Sequence, residues 1–186
     1  MFFNKTHIPG LVIFEPKVFE DDRGYFFEAY NEQVFADAGL KFNFVQDNQS
    51  RSSYGVIRGL HYQIHPHAQT KLVRVLEGKV LDVAVDLRKN APTFGKYFSI
   101  ELSAENKKQL LIPSGFAHGF SVLSETAIVV YKCDSLYQKE SEGGIRFNDP
   151  ILKIDWKIPE SKEIISEKDR RLPGFEDCKN NFEFEV

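Results

Sequence analysis

The 186-residue sequence has little cysteine and no long apolar segment. Its two cysteines, Cys133 and Cys178, form neither a C-x-x-C pair nor a disulfide framework, which favours a reducing compartment. The longest apolar runs, such as residues 127–131, are far too short to span a bilayer. Residues 1–16 lack a basic segment followed by an apolar one, so no signal peptide is expected. The sequence therefore predicts a cytoplasmic protein with no membrane partner.

Positive charge is not in excess either. The chain has 24 Lys and Arg against 27 Asp and Glu, for a net charge of −3. This balance disfavours a nucleic-acid partner, because nothing attracts a phosphate backbone, but it leaves room for a small basic pocket around one phosphorylated ligand. Aromatic residues are plentiful, with 17 Phe among them. They supply apolar area for a core and rings that stack on flat ligands.

No internal repeat, low-complexity tract or linker interrupts the chain, so residues 1–186 are predicted to form a single domain. Short β-rich runs alternate with turn signals, which indicates a mostly β sandwich, barrel or jelly roll. The predicted strands are residues 11–15, 24–30, 43–48, 56–63, 71–77, 79–87, 96–102, 109–112 and 127–133. One helix is predicted at residues 32–38, with Asn31 as its N-cap and Gly39 at its end. Shorter helical turns are expected near Glu160 and after Ser166.

Four histidines lie beside glycine or proline turns, where loops and barrel mouths place ligand-facing groups: His61, His65, His67 and His118. The spacing from residue 59 to residue 78 resembles the first sequence signature of the cupin barrels. A metal-binding cupin has a glutamate where this sequence has Lys71, and an ammonium group repels a cation instead of binding it. We therefore predict no metal, and a metal held by His65, His67 and His118 stays as the alternative.

Strand alternation predicts the direction of two further side chains. Tyr131 shares the face of Ala127 and Val129 and should point inward, either as a core tyrosine or as a proton donor at a pocket wall. Lys71 begins a strand whose two faces are both partly apolar. It is either a solvated lysine or a fixed positive charge inside the barrel, where it would suit a developing oxyanion.

Asp169 lies in a charged stretch near the C-terminus, which by composition is typical of a solvated face. It gains a chemical function only if the chain folds back and brings it against His61. A carboxylate in that position would orient the imidazole and raise its basicity.

Two motifs, RGLHYQ at residues 58–63 and PSGFAHGF at residues 113–120, closely resemble the dTDP-4-dehydrorhamnose 3,5-epimerase family. Shorter matches follow the family's order along nearly the whole chain: DRG at 22–24, QDNQS at 46–50, VDLR at 85–88, DP at 149–150 and SEKD at 166–169. The resemblance implies a cupin-type jelly-roll barrel, a homodimer and an enzyme that needs no cofactor. The implied reaction inverts C3 and C5 of dTDP-4-dehydro-6-deoxy-D-glucose through an enolate, in dTDP-L-rhamnose biosynthesis.

Residue roles follow from the same resemblance. It implies that His61 is the base with Asp169 as its dyad partner, that Tyr131 is the acid on the opposite face, and that Lys71 is the cation beside the C4 oxygen. Tyr137 matches the residue that stacks on the thymine ring. The positions that match nucleotide-binding or sugar-binding residues are Arg23, Glu28, Gln46, Asn48, Arg58, Lys71, His118, Glu142 and Lys168.

Two questions stay open at this level. Strand parity puts His61 opposite Arg58, whereas the family resemblance requires both near the ligand, and a twist or bulge at Gly59 would reconcile them. Relatives that epimerise only C3 or only C5 have nearly the same catalytic residues, so the motifs are compatible with one inversion or two. The alternatives outside the family are a metal-dependent cupin enzyme and a non-catalytic cupin that binds sugar nucleotides.

Overall fold

The computed structural model describes residues 2–184 and is mostly β, as predicted. The strands in that range are β1 (Phe2–Lys5), β2 (Val12–Glu15), β3 (Phe19–Asp21), β4 (Gly24–Phe26), β5 (Gln46–Ser53), β6 (Ile57–Gln63), β7 (Lys71–Glu77), β8 (Lys79–Asp86), β9 (Tyr97–Ser103), β10 (Gln109–Ile112), β11 (Phe116–Val122), β12 (Thr126–Cys133) and β13 (Glu142–Gly144). The helices are α1 (Glu32–Asp37) and α2 (Glu167–Arg170), with 3₁₀ turns at Lys139–Ser141 and Glu160–Lys162. Within the described range, no helix is long and apolar enough to cross a membrane.

Two antiparallel sheets face each other in a cupin-type jelly roll, which confirms the predicted fold class. The larger sheet has the order β1-β2-β10-β7-β12-β5 and the smaller has β13-β6-β11-β8-β9, while β3 and β4 form a separate hairpin. Apolar side chains from the two inner faces form the main core, in which Val73 and Val129 of the larger sheet join Ala84 and Phe120 of the smaller. The polar cavity described below lies between the same two sheets.

A different segment covers the outer face of each sheet. Helix α1 buries Phe35 against Phe14 and Leu72 of the larger sheet. The chain that follows β13 packs on the smaller sheet and buries Ile145 and Trp156. This C-terminal packing brings α2 into contact with β6.

The pairing of β6 with β11 shifts register at Gly59. His61 pairs with His118 and Arg58 with Phe120, so β6 contains one residue more than the opposing stretch of β11, which is a β-bulge. Gly59 has a φ of 115°, and a Cβ there would lie 2.7 Å from the backbone of β11, so only glycine fits. The extra residue turns both Arg58 and His61 toward the cavity, which resolves the parity conflict.

Two predicted strands differ clearly from the observed ones, and four observed strands were not predicted. The strand predicted at residues 43–48 is misplaced, because β5 runs from Gln46 to Ser53. Its sequence has no apolar residue, and it forms because it pairs along its whole length with β12. The strand predicted at residues 24–30 is too long, since β4 ends at Phe26. The prediction omits β1, β3, β11 and β13. Of these, β11 contains Gly119 and follows a proline and a glycine, a sequence that resembles a loop.

The helix predictions are close to the observed helices. Helix α1 is capped by Asn31, whose side chain accepts two backbone N–H groups, and it ends at Asp37, one residue before the predicted end. The expected turn at Glu160 is a 3₁₀ turn. Ser166 caps α2 by accepting the N–H of Asp169, and this bond fixes the backbone that presents the Asp169 carboxylate.

Candidate active site

A cavity of about 660 Å³ lies between the two sheets. Residues of β5, β6, β7, β11 and β12 form its walls, and β13, α2 and the segment before α2 contribute the rest. Its volume falls within the ~300–1,000 Å³ that is usual for small-molecule sites. The predicted site residues that line it are Asn48, Arg58, His61, Lys71, His118, Tyr131, Tyr137, Glu142, Lys168 and Asp169.

His61 and Asp169 form a hydrogen-bonded pair at the cavity wall, with 2.8 Å between His61 Nε2 and Asp169 Oδ1. Burial raises the pKa of Asp169, but its hydrogen bonds with His61 and with the Gly59 N–H outweigh burial and leave that pKa lowered. The carboxylate therefore stays ionised and accepts a hydrogen bond from the Nε2–H group of His61. This arrangement leaves Nδ1 as the basic atom of the neutral imidazole.

Lys71 is a buried side chain and not a solvated lysine at the start of a strand, since it is only 8% exposed. Its Nζ donates to the His61 carbonyl oxygen at 3.4 Å and lies 5.8 Å from the centre of the Tyr131 ring. Burial lowers the pKa of Lys71, and nearby anionic groups, Asp82 among them, only partly oppose it. The cation thus shares the cavity with His61 and Tyr131, where it is suited to stabilise an oxyanion.

Tyr131 points inward, as the alternation predicts, packing against the main core and lining the cavity. Burial raises the pKa of its hydroxyl, and the positive charge of Arg58 opposes this only in part. The phenol therefore keeps its proton at neutral pH. A general acid must hold its proton in this way before it transfers it.

A second histidine–carboxylate pair lies beside the first. His118 Nε2 is 2.9 Å from Asp82 Oδ2, and the His118 ring meets the Tyr131 ring edge-on at 6.4 Å. Burial lowers the pKa of His118, although Asp82 opposes the shift. Asp82 is fully buried and is not among the predicted site residues. The signal that could have identified it is a lone carboxylate within the apolar run at residues 80–85.

Glu142, Lys168 and Tyr137 form a polar group at the cavity. Lys168 Nζ lies 2.6 Å from Glu142 Oε1, and the Tyr137 hydroxyl donates to Glu142 Oε2 at 3.3 Å. Burial raises the pKa of Glu142, but Lys168, the Tyr137 hydroxyl and His61 together outweigh it and leave that pKa lowered. Tyr137 is 51% exposed, so a flat ligand has access to its ring. Gln46 does not line the cavity, and instead its Oε1 accepts the Tyr137 N–H while its Nε2 donates to Asn48.

Arg23 and Glu28 are not among the residues that line this cavity. Arg23 lies at the turn of the β3–β4 hairpin, with its side chain 89% exposed and paired with Asp21. Glu28 follows the hairpin and accepts a hydrogen bond from Asn31. The structure therefore does not bring these two predicted binding residues to the cavity of their own chain.

His65 and His67 also lie outside the cavity lining. The His65 ring packs edge-on against Phe182, and His67 Nδ1 lies 2.9 Å from Ser141 Oγ. Within residues 2–184, no three His, Cys, Asp or Glu side chains are grouped so that they could hold a metal ion. The alternative of a metal on His65, His67 and His118 therefore has no common site.

Comparison with known proteins gives the same family as the motifs. The family model for dTDP-4-dehydrorhamnose 3,5-epimerase matches residues 5–177. A relative of that name from Shigella flexneri is 56% identical over 175 residues, which cover 94% of this chain and 96% of the relative. The solved dTDP-4-dehydrorhamnose 3,5-epimerase of Elizabethkingia anophelis NUHP1 is 61% identical, with a TM-score of 0.91 over 95% of this chain and 97% of that one.

A second solved structure contains a bound sugar nucleotide. It is the dTDP-6-deoxy-D-glucose-3,5-epimerase of Legionella pneumophila Philadelphia 1 in complex with dTDP-4-keto-L-rhamnose. It is 47% identical, with a TM-score of 0.91 over 95% of this chain and 93% of that one. The chain belongs to the dTDP-4-dehydrorhamnose 3,5-epimerase family.

Proposed function

We propose that this chain converts dTDP-4-dehydro-6-deoxy-D-glucose to dTDP-4-dehydro-L-rhamnose by inverting C3 and C5, in dTDP-L-rhamnose biosynthesis. The main structural support is one cavity that contains the His61–Asp169 pair, the buried ammonium of Lys71 and the protonated phenol of Tyr131. Membership of the family and the sugar nucleotide bound to the Legionella relative support the choice of substrate.

The chemistry follows from the C4 ketone, which acidifies the protons on both neighbouring carbons. His61 Nδ1 removes the proton, and Asp169 stabilises the imidazolium that forms. The electron pair of the broken C–H bond moves onto the C4 oxygen, where Lys71 stabilises the enolate. Tyr131 then donates a proton to the opposite face of the carbon. Because every electron pair stays within the substrate and only protons move, the reaction needs no redox cofactor. Each acid–base group contributes about 10²–10⁴-fold in rate.

The remaining residues bind the nucleotide and the sugar. Arg58 donates from Nε to Ser52 Oγ at 3.0 Å, which fixes its guanidinium and leaves the terminal nitrogens for an anionic diphosphate. Lys168 adds a second positive charge at the cavity. The half-exposed ring of Tyr137 stacks on the thymine.

Solvent exchange is the experiment that tests this function. In D₂O, the product should contain two deuterons, one at C3 and one at C5, which mass spectrometry and proton NMR would count. A single deuteron would indicate an epimerase of one carbon only, and none would indicate a binding protein. Activity that a chelator removes and Fe²⁺ or Mn²⁺ restores would instead support a metal-dependent cupin.

Two variants test the proposed proton-transfer residues. His61→Asn removes the base, so exchange should stop at both carbons although the substrate still binds. Tyr131→Phe removes only the hydroxyl, so exchange should continue while net inversion fails. His7→Asn, at an exposed position, and Tyr30→Phe, whose hydroxyl bonds the Phe42 carbonyl, are the matched controls. Near wild-type exchange in His61→Asn would show that His61 is not the base.

The β3–β4 hairpin supports a homodimer. It exposes Phe19, Tyr25 and Phe26, and aromatic side chains clustered in this way are typical of an interface. Arg23 and Glu28 lie on or beside the same hairpin and away from their own cavity. In the proposed dimer the hairpin packs against a second copy of the chain, which buries its aromatic residues. The same packing brings Arg23 and Glu28 to the cavity of that second copy.

Mixed dimers would test this arrangement. A dimer of one Arg23→Ala chain and one His61→Asn chain has one intact cavity if Arg23 acts on the partner, so activity should return when two inactive variants are combined. If Arg23 acts within its own chain, each of the two cavities contains one substitution and no activity returns. A monomer in sedimentation at micromolar concentration would contradict the dimer itself.

We also propose that residues 1–186 act as one domain. The free thiols of Cys133 and Cys178 support a location in the cytoplasm.

A further inference from the structure

The side chain of Gln63 holds the backbone on both sides of Tyr137. Gln63 is the last residue of β6 and is only 3% exposed. Its Oε1 accepts the N–H of Gln138 at 2.7 Å. Its Nε2 donates to the carbonyl oxygen of Leu136 at 3.2 Å and to that of His67 at 2.6 Å.

We propose that Gln63 is a positioning residue that fixes the Tyr137 ring for thymine recognition. This inference rests on the proposed function, in which Tyr137 stacks on the base. Gln63 borders the cavity, yet both of its N–H groups are already bound to carbonyl oxygens, so it has no donor left for a ligand. Its partners, two carbonyls on one side and one N–H on the other, also allow only one orientation of the amide.

Other hydrogen bonds hold the segment of residues 136–138, which contains Tyr137, in the same place. Gln46 accepts the N–H of Tyr137 itself at 3.0 Å, so three successive residues of the segment are bound by two glutamine side chains. The His67 N–H donates to the Ile64 carbonyl, and the His67 ring bonds Ser141 beside β13. The segment is thereby attached to β6 and to the turn that follows it.

A ring fixed before the ligand arrives loses less conformational entropy on binding, which favours tighter binding. Without the Gln63 amide, the segment would retain fewer attachments to the barrel and the ring would sample more orientations. The expected effect is on nucleotide affinity and not on proton transfer, because the hydrogen bonds of the Gln63 amide in the described residues go to backbone groups and not to the His61 ring or the Tyr131 hydroxyl.

The test is a double-mutant cycle with dTDP as the ligand and calorimetry as the measurement. Gln63→Leu should weaken dTDP binding roughly 5- to 30-fold, the range expected when one or two anchoring hydrogen bonds are lost. The same substitution in a Tyr137→Ala background should change the affinity by less than about twofold, because the residue on which Gln63 acts is gone. With the sugar substrate, Gln63→Leu should raise KM and leave kcat close to the wild-type value.

Two further variants keep the test decisive. Gln63→Glu retains the length of the side chain and the acceptor for Gln138, but it places an oxygen against the two carbonyls, so it should weaken dTDP binding even if Gln63→Leu folds poorly. Ser121→Ala is the control, since it deletes another buried hydrogen bond, 2.6 Å to the Trp156 carbonyl, away from the cavity. It should lower stability without changing dTDP affinity.

Each outcome separates the inference from the proposed function. Additive losses in the cycle would overturn the positioning role, since Gln63 would then act independently of Tyr137. Unchanged dTDP affinity in both Gln63 variants would overturn it as well. If Tyr137→Ala itself binds dTDP like the wild type, the proposed thymine contact is wrong and the inference is wrong with it.

Discussion

Replacing Lys71 with methionine should stabilise the fold while it removes most of the activity. The Lys71 side chain is buried between the sheets, and its ammonium makes only a long hydrogen bond, 3.4 Å, to the His61 carbonyl. Burying one ionic group costs several kcal/mol of desolvation, and the anionic groups near Lys71 offset this cost only in part. A gain of about 1–2 kcal/mol in a chain of this length corresponds to a rise of roughly 2–8 °C in Tm.

The pH dependence gives this prediction a definite sign. Burial lowers the pKa of Lys71 in the folded state, whereas the unfolded chain keeps a value of about 10.4. As the pH rises through the lowered pKa, the folded protein loses the proton that the unfolded chain still binds, so the stability of the wild type increases. The advantage of Lys71→Met should therefore be largest near pH 7 and should shrink toward pH 10.

Thermal unfolding and the deuterium assay measure the two effects side by side. In the proposed mechanism Lys71 stabilises the enolate at the C4 oxygen, so its loss should reduce kcat by about 10²–10³-fold, the usual effect of removing one oxyanion-stabilising group. Lys79→Met is the matched control, since it deletes the same charge from a lysine whose partner is the surface residue Glu101. It should shift stability by less than about 1 kcal/mol and leave the rate unchanged. A lower Tm for Lys71→Met at pH 7 would refute the reasoning, because the ammonium would then stabilise the fold.

Two further predictions concern Asp169 and Gly59. Asp169→Asn should lower kcat by about 10²–10⁴-fold and the free energy of unfolding at pH 7 by about 1.5–3 kcal/mol. Because the pKa of Asp169 is lowered in the folded state, this difference in stability from the wild type should disappear as the pH falls below about 4. Urea titrations that show the same difference at every pH would contradict this. Gly59→Ala should lower the free energy of unfolding more than Gly39→Ala does. Both glycines have a positive φ, but of the two only Gly59 would place its Cβ against backbone atoms. Equal losses in urea unfolding would show that the close approach to β11 is unimportant.

The sequence predicts this fold well where the hydrophobic pattern is strong and poorly where pairing alone decides. Strands β7 to β10 and β12 lie within one residue of their predicted bounds at each end because apolar residues mark them. Strand β5 is polar throughout, and its limits depend on the partner strand β12, which no local pattern encodes. The hairpin that bears Arg23 poses a similar difficulty, since the predicted binding position lies outside the cavity of its own chain.

Only the site residues that lie in recognisable sequence motifs could be predicted. His61 and Asp169 are 108 residues apart, and no periodicity relates them, so their pairing followed from the family resemblance. Asp82 had no such support and was missed, although it bonds His118, which lines the cavity. Strand parity alone put Arg58 and His61 on opposite faces, because alternation fails at a bulge and the bulge depends on how closely β11 approaches Gly59.

The structure also supports our proposal that His61, and not His118, is the base. Both histidines bond a buried carboxylate, but the His61 side chain is 33% exposed while that of His118 is 6% exposed. A base must accept a proton as imidazolium and then release it to solvent before the next turnover. Burial lowers the pKa of His118 and so disfavours its imidazolium, and its ring has little access to water. His61 has that access, together with an ionised Asp169 to stabilise the charge. Deuterium from solvent can therefore reach the substrate through His61, and His118 is better suited to orient the substrate as a neutral ring.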